Sequence, residues 1–167
     1  RHPGQTLKLS VAAVNEDTNA YRRTALATAA DLQQRIGRTS YYSYGVGLDA
    51  GRYFENRYDP ITQAPLSFDR DLAILTGRAS AYLDQSNNPL NPTQGYRVTL
   101  NVQPTAVAGE DTVLFLRTEM QGTMYVPVEK NAHTVLAGRV RIGSILGGQE
   151  LSVPSDRLFY SGGGGSV

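Results

Sequence analysis

The chain has 167 residues, enough for one domain with a core, and its 16 Lys and Arg nearly balance 15 Asp and Glu for a net charge of +1. So close a balance gives no long-range field to recruit nucleic acid, and no stretch clusters Lys and Arg with interleaved aromatics, so no nucleic-acid partner is expected. The lack of cysteine removes disulfides, thiolate nucleophiles and Cys-based zinc sites, and no run reaches the ~18 apolar residues of a transmembrane helix, which leaves open a membrane barrel, whose signal is alternation.

Taken in chain order, Thr6 to Val14 reads as a short strand. Tyr21 to Ile36 is open between two forms. Its alanine-rich TALATAADLQQRI stops before Gly37, a fitting helix C-cap, whereas a strand puts Asp31, Gln33 and Arg35 on one polar face. The all-β context of the rest favours the strand. Ser40 to Asn56 sets Tyr42, Tyr44, Val46, Leu48 and Ala50 against Ser43, Gly45, Gly47, Asp49 and Glu55. Asp71 to Asp84 sets Ala73, Leu75, Gly77, Ala79, Ala81 and Leu83 against Arg78 and Ser80. Tyr96 to Ala106 alternates strictly, with Tyr96, Val98, Leu100, Val102, Pro104 and Ala106 opposite Arg97, Thr99, Asn101, Gln103 and Thr105. Val113 to Pro127 repeats the pattern with Leu114, Leu116, Met120, Met124 and Val126 opposite Arg117, Glu119, Gln121 and Thr123. Thr134 to Leu146 places Leu136, Val140 and Ile142 opposite Arg139 and Arg141.

The expected fold is all-β, an antiparallel up-and-down meander of about seven long strands. Its connections fall into two sets that lie at opposite ends of such a sheet. One holds residues 37–39, 84–95 and 128–133; the other holds 15–20, 56–65 and 107–111. If neighbouring strands pair, Arg97, Arg117, Glu119, Arg139 and Arg141 all point into one space. Alternation alone leaves a soluble sandwich and a barrel both open. Strand length favours the barrel, because globular strands usually run about 5–6 residues. Tyr42, Tyr44 and Tyr96, near the ends bordering the first set of turns, suit a membrane-interface girdle.

No catalytic, metal or cofactor motif emerges. His2 and His133 fall at the start of the chain and in a turn, where solvent exposure is the simple reading. Asp69 and Asp71 sit at a strand start and read as a solvated edge rather than an acid–base pair. Residues 162–167, GGGGSV, lack the lysine and the following helix of a phosphate loop, which leaves a flexible linker or the approach to a loop. In residues 87–95, NNPLNPTQG, prolines and asparagines set turns, and Gly95 allows positive φ before the next strand.

Three stretches together, NNPLNPTQGYRVTLNV, GTMYVPVEKNAHTVLAGRVRIGSI and VPSDRLFYSGGGGSV, resemble the outer-membrane protein assembly superfamily, the BamA/TamA type of bacterial surface antigens. Pro92, Thr93 and Gly95 resemble that family's periplasmic turn. Arg157, Phe159, Tyr160, Gly162, Gly163, Ser166 and Val167 match in order the lead-in to its sixth extracellular loop, with Leu158 where an aromatic is frequent. The glycine-rich form looks closer to TamA than to BamA. The resemblance covers Leu83 onward by motif and the upstream part by strand order.

It implies a sixteen-stranded barrel behind periplasmic POTRA domains, located in the outer membrane of a Gram-negative-type bacterium. Such a barrel inserts barrel proteins or autotransporters without ATP, cofactor or enzymatic chemistry. Its partners are outer-membrane lipid, client proteins and an inner-membrane partner protein. The chain would then be a partial barrel domain, 1–167, incomplete at both ends and without POTRA domains. Its next residues in the parent would be Arg-Gly-(Phe/Tyr), the loop tip whose arginine pairs with a carboxylate on the barrel wall. Alone it would be inactive as an insertase and would cover its two strand edges and apolar face by self-association. A folded monomer in plain buffer, seen by light scattering or sedimentation, would count against that last expectation.

Overall fold

The structure is a computed structural model that describes residues 4–18, 21–58, 61–62, 64–109, 112–129, 133–148, 153–154 and 157–158. Its strands are β1 (Gln5–Asp17), β2 (Tyr21–Ile36), β3 (Ser40–Tyr58), β4 (Pro65–Asp84), β5 (Gly95–Ala108), β6 (Thr112–Pro127) and β7 (Val135–Leu146). They form one sheet in the order β1-β2-β3-β4-β5-β6-β7, every neighbour antiparallel. This is the expected up-and-down meander, in a single sheet rather than the two packed layers of a sandwich. Residues 21–36 are strand. As a helix the alanines would lose the ladder on both sides, whereas here they pair with β1 and β3 along their whole length.

Strands run to or beyond the expected bounds, except that β7 begins one residue late, at Val135. The largest extension is β4, which starts at Pro65 rather than Asp71. Residues 15–17, 57–58, 65, 95 and 107–108, expected in turns, are strand instead. Polar pairs hold these ends together across the ladder: Arg22 meets Asp17 at 2.9 Å, and Ser67 Oγ donates to Asn56 Oδ1 at 3.1 Å. Backbone pairing needs a partner strand, not an apolar face, so the ladder continues where the hydrophobic pattern stops. The pairing of β4 with β5 breaks opposite Gln103 and Pro104, where proline has no N–H to give.

Register decides which side chains share a face. Arg97 lies opposite Asp84 and Thr123, Glu119 opposite Asn101, Arg139 opposite Thr123 and Arg141 opposite Gln121. Following the ladders outward puts Tyr82, Arg78, Asp49, Asp31 and Lys8 on this same polar face. The other face carries Leu9, Leu26, Leu48, Leu75, Leu100, Met120 and Val140, all strongly exposed. Every large hydrophobic residue that is exposed within a strand lies on that second face.

The buried core is on the polar face. Tyr53, Leu72, Ile74, Val107 and Phe115 cluster there with Val153, and Val113, Ile145 and Leu158 pack against them. Below Leu72 the sense of alternation in β4 reverses: Leu66, Phe68, Leu72 and Ile74 take the polar face, while Asp69 and Asp71 take the apolar one. The polar face is therefore charged toward the 85–94 turn and apolar toward the 59–64 connection.

Adjacent residues in β4 test this division. Ile74 is 0% exposed on one face and Leu75 is 50% exposed on the other. Ile74→Ala is expected to destabilise the protein by about 2–5 kcal/mol, through lost transfer energy and an unfilled cavity. Leu75→Ala in detergent should cost a small fraction of that, as read by urea unfolding of the two variants side by side.

Candidate functional site

The expected charged wall forms as a chain of pairs. Glu119 on β6 accepts from Arg141 on β7 at 2.9 Å and meets Arg117, two residues before it on β6, at 3.5 Å. Arg117 also donates to Gln103 Oε1 on β5 at 3.2 Å. Arg139 lies on the same face, exposed, and makes no ion pair among the described residues. It borders a polar basin of about 530 Å³ with Tyr82, Arg97, Gln121 and Thr123. Sequence alternation placed all five predicted charges on one face; register decided which of them touch.

Further pairs on this face had no local signal. Arg78 on β4 reaches Asp31 on β2 at 2.5 Å, passing over Gly45 of the intervening β3. A Cβ at Gly45 would collide with the Asp31 carboxylate and with backbone, so glycine is required for that approach. Toward the far end, Arg70 meets the fully buried Glu55 at 2.5 Å, and Arg23 meets Glu16 while lying over the Tyr53 ring. Glu55, withdrawn from water, is held by a cation, as the cost of burying a charge requires.

The turn between β4 and β5 is pinned by Arg97. Its Nε lies 3.2 Å from Asp84, whose side chain is 3% exposed, and its Nη2 donates to the Pro89 carbonyl at 2.6 Å. Asp84 also accepts from Ser86 N at 2.9 Å and Ser86 Oγ at 2.6 Å. Within the turn, Asn87 Oδ1 accepts from the backbone N–H groups of Thr93 and Gln94, and Asn87 Nδ2 donates to Thr93 Oγ1. Gly95 has φ +104, a conformation an L side chain rarely adopts, with the Gln85 carbonyl packed against it. Thr93 and Gly95 thus have local mechanical roles, and Pro92 lies beside them in the same turn.

Described residues beyond β7 also lie on this face. Val153 is buried in the apolar cluster, and Pro154 is fully buried. Arg157 N donates to the Pro154 carbonyl, and Arg157 Nη2 reaches Asp49 Oδ2 on β3 at 2.5 Å. Of the expected loop lead-in, Arg157 is described; Phe159, Tyr160, Gly162, Gly163, Ser166 and Val167 lie outside the described residues.

The apolar face ends in two different ways. Toward the 37–39 and 85–94 turns it carries Tyr42, Tyr44 and Tyr96, the first two stacked with centroids 6.4 Å apart. Toward the opposite connections it carries charge: Arg52 lies 3.3 Å from Asp71 and 3.6 Å from Asp69, and Arg22 pairs with Asp17. Asp69 and Asp71 therefore hold an arginine at the edge of the apolar face.

Removing Arg97 leaves the Asp84 carboxylate buried without its cation and frees the Pro89 carbonyl. Arg97→Ala should cost about 3 kcal/mol and open residues 85–94 to protease, measured by unfolding and limited proteolysis. No curated protein matches the chain. The family model described as the Omp85 superfamily domain matches residues 1–167, from end to end, and with its single meander sheet the chain belongs to that superfamily.

Proposed function

We propose that the chain is part of the wall of an outer-membrane barrel that inserts or translocates other proteins, with the apolar face toward lipid and the polar face toward the lumen. Omp85 superfamily proteins are outer-membrane β-barrel proteins of insertion and translocation, and they work without enzymatic chemistry. The observation that carries the proposal is the segregation of every exposed large strand hydrophobic to one face. A soluble sheet hides such a face; a barrel wall offers it to hydrocarbon.

The dimensions support this reading. On β5 the outward side chains run from Tyr96 to Ala106, which at roughly 3.3 Å per residue and a tilt near 40° covers a band of about 25 Å. Tyr42, Tyr44 and Tyr96 border that band on one side, and Arg22, Arg52, Asp69 and Asp71 border it on the other. The tyrosine end is the periplasmic one in this proposal, so Pro92, Thr93 and Gly95 form a periplasmic turn. Arg97, Arg117, Glu119, Arg139 and Arg141 face the lumen, and Arg157 belongs to the lead-in of an extracellular loop. Among the described residues β1 and β7 each have one unpaired edge, suited to further strands of a sixteen-stranded wall of the TamA-like kind. The parent's partners are then outer-membrane lipid, client barrel proteins or autotransporters and an inner-membrane partner protein; excised, the chain pairs with a second copy.

Two measurements test the reading. Leu100→Arg, on the outward face at mid-band, should destabilise the parent barrel in lipid by about 2–4 kcal/mol, while Asn101→Arg on the other face should be tolerated. Equal costs for the two would remove the lipid-facing assignment. Depleting the parent should lower the amounts of other barrel proteins in the outer membrane; unchanged amounts would exclude the insertase role while leaving the barrel intact.

A further inference from the structure

We infer that Asp49 and Arg157 form a tether that sets where Arg157 and Leu158 lie on the polar face, making Asp49 the positioning residue for them. The pair is long-range in the fold. Arg157 follows β7, yet its guanidinium reaches β3, with β4, β5 and β6 lying between. Both side chains are largely withdrawn from water, 19% exposed for Arg157 and 16% for Asp49, so salt screens the attraction far less than on an open surface.

The apolar contacts of this segment cannot do the same work. Val153 and Leu158 rest on a broad floor made by Tyr53, Leu72, Ile74, Val107 and Phe115. Hydrophobic contact is non-directional and leaves such a segment free to slide, whereas a charge-assisted hydrogen bond has one favourable geometry. Among the described carboxylates of this face, Asp49 is the one that no arginine of the sheet holds. Arg78, on the same face, is held by Asp31, and Arg70 is held by Glu55. Asp49's own neighbours in register are Ala27 and Ile74, neither of which supplies a cation. Gly47 and Gly51 flank it on the same face of β3, so no large side chain of that strand blocks the arginine's approach.

The test uses the full-length parent in lipid and reads trypsin cleavage after Arg157 by quantitative mass spectrometry. Asp49→Asn is expected to accelerate cleavage there by about ten- to hundredfold, through loss of a hydrogen bond between charged groups. Asp49→Glu should keep cleavage slow, and Asp31→Asn, which breaks the neighbouring Arg78 pair, should leave it unchanged. Heat-dependent gel mobility reports separately that each barrel is folded. Equal cleavage in folded wild type and Asp49→Asn overturns the tether, and so does an equal acceleration by Asp31→Asn, which would mean general loosening. Because this stretch has no cysteine of its own, a second reading is direct. A short bifunctional thiol reagent should link Asp49→Cys to Arg157→Cys but not Asp31→Cys to Arg157→Cys, and a folded protein that fails to form the first link contradicts the proposal. Both measurements read the segment's position whether or not the parent inserts clients, so they stand or fall apart from the insertase reading.

Discussion

A one-residue slip in any of the six ladders would turn every side chain of the shifted strand to the wrong side, placing arginines among leucines along a whole strand. The register is the constraint on which the rest depends. It gathers the exposed apolar side chains into one continuous surface and the charges into another. Because backbone groups are paired through most of the interior of the sheet, the two surfaces are free to differ in chemistry. One is wide, apolar and featureless; the other is divided into a charged half and an apolar half.

The charged half is stabilised pair by pair. Asp31, Asp84 and Glu119 each hold at least one arginine, as Glu55 does beside the apolar cluster, so that carboxylates withdrawn from water keep a cation next to them. Arginine suits this arrangement because its fork can serve several acceptors at once, as Arg97 does for Asp84, Ser86 and two turn carbonyls. The apolar half works differently. Its side chains bury one another and Val153, and Leu158 packs against them, so that residues well beyond β7 join the core.

Much of this can be traced to particular residues in the chain. Strict alternation from Tyr96 to Ala106 identified both faces of β5 and left no ambiguity. The alanines of β2 carried no such contrast, and only pairing on both sides resolved helix from strand. The apolar floor had a signal of another kind: runs of consecutive apolar residues, LAIL at 72–75 and VLFL at 113–116, mark places where a strand is apolar on both faces. Two-way alternation hides such runs, because each still supplies the outward leucine it looks for. The extension of β4 back to Pro65 escaped notice for the same reason, since the sense of alternation reverses near Leu72.

By itself the sequence determined most of the strands and their faces, the turns rich in Pro, Asn and Gly, and the collection of charge on one side. These are period-two or nearest-neighbour properties, carried by residues close together along the chain. Only the tertiary structure decided that Arg78 reaches Asp31 over Gly45, that Arg70 holds Glu55 and that Arg157 finds Asp49. The first two follow from the register of paired strands. The last joins a residue beyond β7 to β3, which no local periodicity encodes, because three strands of the sheet lie between the partners.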